Sequence, residues 1–100
     1  MIRSSTPTHE FAIPLPADMI ADIWVTYTQF EKIVLVKRKA DMKNDGGIWS
    51  VRLRQEETNL FEGDALAFLE VKALTTDGEV MVGEKVLLTV EDVQNDEVMG

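Results

Sequence analysis

Residues 21–30 read Ala21-Asp22-Ile23-Trp24-Val25-Thr26-Tyr27-Thr28-Gln29-Phe30. Ile23, Val25 and Tyr27 fall on one side of an extended chain, and Trp24, Thr26, Thr28 and Phe30 fall on the other. β-branched and aromatic residues fill the stretch, as they fill a pleated, half-buried strand. The next apolar run, residues 32–42, follows after almost no connection, so a tight hairpin around Phe30-Glu31 is expected. In that run Ile33/Leu35 and Val34/Val36 both read as buried. A twist or bulge near Lys37 would reconcile them.

The same rhythm extends outward. Asn44-Asp45-Gly46-Gly47 punctuates the chain before residues 47–54, where Trp49, Val51 and Leu53 alternate with Ser50, Arg52 and Arg54. This run is expected as the third strand of a meander. Residues 9–16 place Phe11, Ile13 and Leu15 on one side, and Pro14 and Pro16 make them an edge strand that ends early. Gln55-Glu56-Glu57-Thr58 suits one helical turn at a corner, with Leu60 and Phe61 plugging the core. Residues 63–75 form a long strand with Leu69, Val71 and Ala73 inward, and Leu66, Phe68 and Leu74 outward beside Glu70 and Lys72. Asp77-Gly78 predicts a type I′ turn. Residues 80–93 return with Val86, Leu88 and Val90 inward and Gly83 as a bulge or break.

No period of 3.6 is sustained, which argues against a helical domain. Six to eight strands at this spacing predict an all-β, antiparallel, Ig-like two-sheet sandwich with at most one short helical turn, a small closed barrel being the rival. Val25, Tyr27, Trp49, Val51, Leu69, Val71 and Leu88 are the expected core. Residues 1–100 make one domain, with 1–8 read as a tail or strap and 94–100 as a frayed tail.

The chain carries 10 basic and 18 acidic residues, a net charge of −8. That sign opposes binding to nucleic acid or to anionic membranes. The basic residues Lys37, Arg38, Lys39, Arg52 and Arg54 read as solvated strand faces. There is no cysteine, hence no disulfide, thiolate metal site or thiol nucleophile. No signal-like N-terminus and no run of ~20 apolar residues is present, so a protein made in the cytoplasm is expected.

Chemistry-bearing patterns are sparse. The segment from Asp41 to Gly46 faintly resembles a calcium loop, but Lys43 and Arg52 stand where acidic ligands belong. Glu56/Glu57, Glu91/Asp92 and Asp96/Glu97 read as solvated carboxylates rather than an acid–base pair. His9 is the only histidine, has no catalytic context, and reads as a surface residue. No phosphate loop exists. These readings predict no catalysis, no cofactor and no bound metal. Trp24, Phe30, Leu66, Phe68 and Leu74 remain as an outward apolar set. They predict a partner interface, either with another protein or between copies in a homo-oligomer.

Several stretches carry a resemblance: Thr6-Pro7-Thr8-His9-Glu10-Phe11 with Ile13-Pro14; Val25-Thr26-Tyr27-Thr28-Gln29; Leu53 with Gln55-Glu56-Glu57-Thr58 and Phe61; and Ala73-Leu74-Thr75-Thr76-Asp77-Gly78. From about residue 3 to about residue 93 the chain resembles small β-sandwich proteins of unknown function encoded in prophage structural modules of gut Firmicutes. The resemblance implies a sandwich fold and a place in phage tail or head assembly, with the virion as a second location. It implies no catalytic residues. The first functional expectation is therefore a non-enzymatic structural or interaction module. The alternative is a small ligand- or carbohydrate-binding domain that uses Trp24 or Trp49 as a stacking platform.

Overall fold

The computed structural model describes residues 1–83 and 85–92. They form an antiparallel two-sheet β-sandwich of eight strands. β1 (Thr8–Ala12), β4 (Met42–Asp45) and β5 (Ile48–Arg52) make a three-stranded sheet in the order β1-β5-β4. β2 (Ile20–Gln29), β3 (Lys32–Arg38), β6 (Ala65–Thr75), β7 (Val80–Val82) and β8 (Val86–Val90) make the larger sheet. Its order is β3-β2-β6-β7, and β8 also pairs with β6. β7 and β8 share one edge of β6, meeting its residues 72–74 and 65–69 respectively. Gly83 interrupts them, and its N–H bonds the Val71 carbonyl at 2.9 Å.

Local chemistry explains the turns. Gly46 and Gly47 both take positive φ, 58° and 89°, and join β4 to β5 in two residues, as a type I′ turn requires. Phe30 and Glu31 form a corresponding turn at φ 53° and 61° without glycine. At Asp77-Gly78 the expected type I′ turn is corrected. Only Gly78 has positive φ, and its N–H bonds the Thr75 carbonyl at 3.0 Å. This is a type I turn closed by a left-handed glycine.

Two other expectations are corrected. β5 does not extend the β2–β3 meander but lies in the opposite sheet. A 3-10 turn at Lys39–Asp41 carries the chain across after β3. The bulge in β3 lies at Val34, not near Lys37, because Tyr27 pairs with Leu35 while Thr28 pairs with Ile33. One extra residue reverses the facing, so Ile33 and Val36 point out while Leu35 and Lys37 point in.

The core lies between the sheets around Ile23, Val25, Tyr27, Trp49, Leu69 and Phe61. Val51 is also fully buried, whereas Val71 and Leu88 are half-buried against the core. Val86 is exposed despite its inward parity, because it sits at the rim of the sandwich beside Phe11 and Ile13. α1 (Gln55–Thr58) is the expected corner turn, and Phe61 plugs the core while Leu60 stays exposed.

Residues 1–5 are a strap rather than a tail. The Met1 ammonium donates to the Thr89 carbonyl, the Arg3 N–H to the Glu91 carbonyl, and the Glu91 N–H to the Met1 carbonyl. The expected fray at 94–100 lies outside the described residues. No helix among the described residues is long and apolar enough to cross a membrane.

Several polar groups inside the sandwich are paired, whereas the buried Trp49 indole N–H has no partner among the described residues. Gln29 replaces a ladder rung, its amide bonding both the N–H and the carbonyl of Glu62. His9 is not a surface residue. Its Nδ1 lies 2.6 Å from the Tyr27 hydroxyl and links the two sheets. Burial, then the N-terminal ammonium, lowers the His9 pKa, and burial raises that of Tyr27. Lys37 and Glu57, expected as solvated, form an ion pair at 2.5 Å with side chains only 11% and 8% exposed.

Candidate functional site

The outward face of the larger sheet holds the candidate site. Trp24 stands on β2 with Arg38 as its cross-strand neighbour on β3 and Lys72 as its neighbour on β6. Strand alternation that buries Ile23 and Val25 necessarily turns Trp24 outward. The Arg38 guanidinium lies 4.7 Å from the centre of the indole ring, within cation–π range. Arg38 is itself ion-paired with Asp22, whose carboxylate also accepts the Ile23 N–H at 2.8 Å. The Arg38 hydrogen bond holds the Asp22 carboxyl below its ordinary range, and Asp22 raises Arg38 in return. One side of the ring is therefore backed by a clamped cation.

Trp24 also lines an open groove of about 490 Å³. Thr26, Glu70, Lys72 and Leu74 line it with Trp24; Ile33 and Val36 enter from β3 and Val80 from β7. A half-exposed aromatic ring, an aliphatic lining and a hydroxyl, a carboxylate and an ammonium within one groove suit a ligand with both an apolar face and hydrogen-bonding groups. Glu70 is the one carboxylate among these lining residues. Among the described residues, no cluster of three or more His, Asp or Glu is placed to hold a metal ion.

The structure unites part of the expected set. Trp24 and Leu74 share the groove. Phe68 and Leu66 continue along the same face of β6, beside Leu87 and Thr89 of β8, and are 42% and 52% exposed. Phe30 leaves that alternation, since it occupies the β2–β3 turn, where it is exposed. Sequence reasoning missed Ile33, Val36, Val80, Val82 and Leu87, all exposed apolar residues. Leu87 was recoverable from its parity with Leu88; Ile33 and Val36 were hidden by the bulge. Trp49 is corrected as a platform: it is 4% exposed and part of the core.

No family profile matches this chain. No curated protein matches it either. In structure the chain is similar to part of the cycloalternan-degrading enzyme from Trueperella pyogenes, with a TM-score of 0.66 and 19% identity. The match covers 91% of this chain but 11% of that enzyme. At this identity the likeness establishes the β-sandwich fold. It also corrects the first functional expectation. The expected structural or phage-assembly module has no counterpart in this match, where the fold is part of a cycloalternan-degrading enzyme.

Proposed function

We propose that this chain is a carbohydrate-binding β-sandwich module that acts by binding rather than by catalysis. The observation that carries the reading is Trp24, backed on one side by Arg38 and opening on a groove with Thr26, Glu70 and Lys72. A sugar ring presents an apolar C–H face to an indole and hydroxyls to flanking polar groups, and this groove supplies both kinds of contact. Glu70 and Lys72 carry opposite charges, which favours a neutral saccharide. Glycoside hydrolysis uses two carboxylates across the scissile bond, and the groove lining holds one. The recurrence of the fold in an enzyme that degrades cycloalternan adds support for a saccharide ligand.

Calorimetric titration with linear and cyclic neutral glucooligosaccharides tests the reading. Wild type should bind at least one of them, and Trp24→Ala should weaken that binding by roughly tenfold or more, about 1.4 kcal/mol, with the circular dichroism spectrum unchanged. Absence of binding across the panel, or unaltered binding by Trp24→Ala, refutes it.

A further inference from the structure

The two outer faces of the sandwich differ in chemistry. On the smaller sheet, Lys43, Ser50 and Glu10 form one cross-strand row, and Thr8 pairs with Arg52. On the larger sheet two outward rows, Ile33–Thr28–Phe68–Leu87 and Asp22–Leu74–Val80, are apolar but for Thr28 and Asp22, and they flank the charged middle of β6. Such apolar rows on a chain of net charge −8 call for a cover.

The pattern along β6 indicates what covers it. Glu70 and Lys72 stand on the outward face on either side of Val71. One step further out, Phe68 pairs with Leu87, and Leu74 pairs with Val80. The sequence of properties is apolar row, negative, positive, apolar row. Rotation by 180° about an axis in the plane of the face, crossing β6 at Val71, exchanges position 70 with 72 and position 68 with 74. Glu70 then meets Lys72 of the copy, and the Phe68–Leu87 row meets the Leu74–Val80 row. This is the self-complementarity that an isologous interface demands. Of β6, residues 67–75 are symmetric about Val71, and at ~3.3 Å per residue and ~4.8 Å per strand four strand positions offer roughly 570 Å². A standard interface buries about 800 Å² per partner.

We propose that the outer face of the larger sheet is a two-fold homodimer interface centred on the Glu70/Lys72 pair of β6. Trp24 lies inside that face, so a second copy and a saccharide exclude one another. This last consequence rests on the carbohydrate reading; the dimer does not.

Sedimentation velocity across a wide concentration range tests the dimer. Wild type should dimerise. Glu70→Lys places like charges opposite each other at both symmetry-related contacts, as does Lys72→Glu, and each should weaken self-association on the order of 100-fold. Mixed together, the two single variants should form a one-to-one heterodimer. Glu70→Lys/Lys72→Glu should restore the homodimer, a rescue that a general loss of folding does not produce. A monomeric wild type, or single variants that dimerise as wild type does, overturns the proposal. Leu87→Glu, at an exposed position outside the groove, should give a folded monomer. A saccharide that binds Leu87→Glu should dissociate the wild-type dimer. Wild-type dimers unmoved by that saccharide refute the exclusion. A Leu87→Glu monomer that binds no saccharide counts against the carbohydrate reading and leaves the dimer standing.

Discussion

Replacing Lys37 with methionine isolates the ion pair inside the sandwich. Lys37 Nζ lies 2.5 Å from Glu57 Oε2, and both side chains are nearly buried. Glu57 Oε1 separately accepts the Arg54 N–H at 2.8 Å, closing the first turn of α1. Methionine keeps the length of the lysine stem but strands a buried carboxylate. Breaking a buried pair on one side costs roughly 3–5 kcal/mol. The Arg54 contacts survive, so the lower end applies, about 3 kcal/mol, or a fall in Tm of about 12–24 °C for a chain of this size.

The second variant, Lys37→Met/Glu57→Gln, removes the stranded charge while a glutamine retains the capping acceptor. It should recover at least half of the loss. The pH dependence follows from the same contacts. Burial alone would raise the Glu57 pKa, but Lys37 and Arg54 outweigh it and the net shift is downward. A lowered carboxyl pKa contributes stability above the unfolded value, and that stability is lost as pH falls through the folded value. The difference between wild type and Lys37→Met should therefore shrink on acidification below about 4.3. Urea denaturation monitored by circular dichroism measures all three. A Lys37→Met penalty under about 0.5 kcal/mol would mark the pair as an ordinary exposed bridge and refute the reasoning.

Phe30→Asn/Glu31→Gly should stabilise the fold by on the order of 1–2 kcal/mol, because both residues hold left-handed backbone that costs L side chains about that much; an unchanged or lower denaturation midpoint counts against it. His9 has a lowered pKa in the fold, so stability present above about 6.5 is lost as pH falls through its folded value. His9→Gln, which can keep a partner for the Tyr27 hydroxyl, should flatten the denaturation midpoint just below pH 6.5, and an identical profile for both proteins would sink this.

The carbohydrate and dimer readings press on the same surface from different sides. The first depends on one ring and its polar neighbours, the second on the spacing of rows along β6. Stability variants at Lys37 and His9 lie between the sheets and leave that surface intact. Their effects are therefore separable from either binding reading.

Residues alone determined whatever depends on neighbours in the chain. Alternation in 21–30 and 63–75 assigned the faces of β2 and β6, because successive side chains of a strand point to opposite sides whatever lies beyond. Thus Trp24, Leu66, Phe68 and Leu74 were legible as outward. Paired glycines marked the β4–β5 turn through their access to positive φ. Tertiary structure decided what depends on distant residues. The bulge at Val34 reverses every later residue of β3, so the inward Lys37 and the outward Val36 follow from a pairing register that no local pattern encodes. Which sheet receives β5 depends on the path out of Lys39–Asp41. The burial of His9 against Tyr27 and of Glu57 against Lys37 joins segments 18 and 20 residues apart. Charged and polar side chains look solvated in sequence because their desolvation is offset by partners that only the packed sandwich brings within hydrogen-bonding distance.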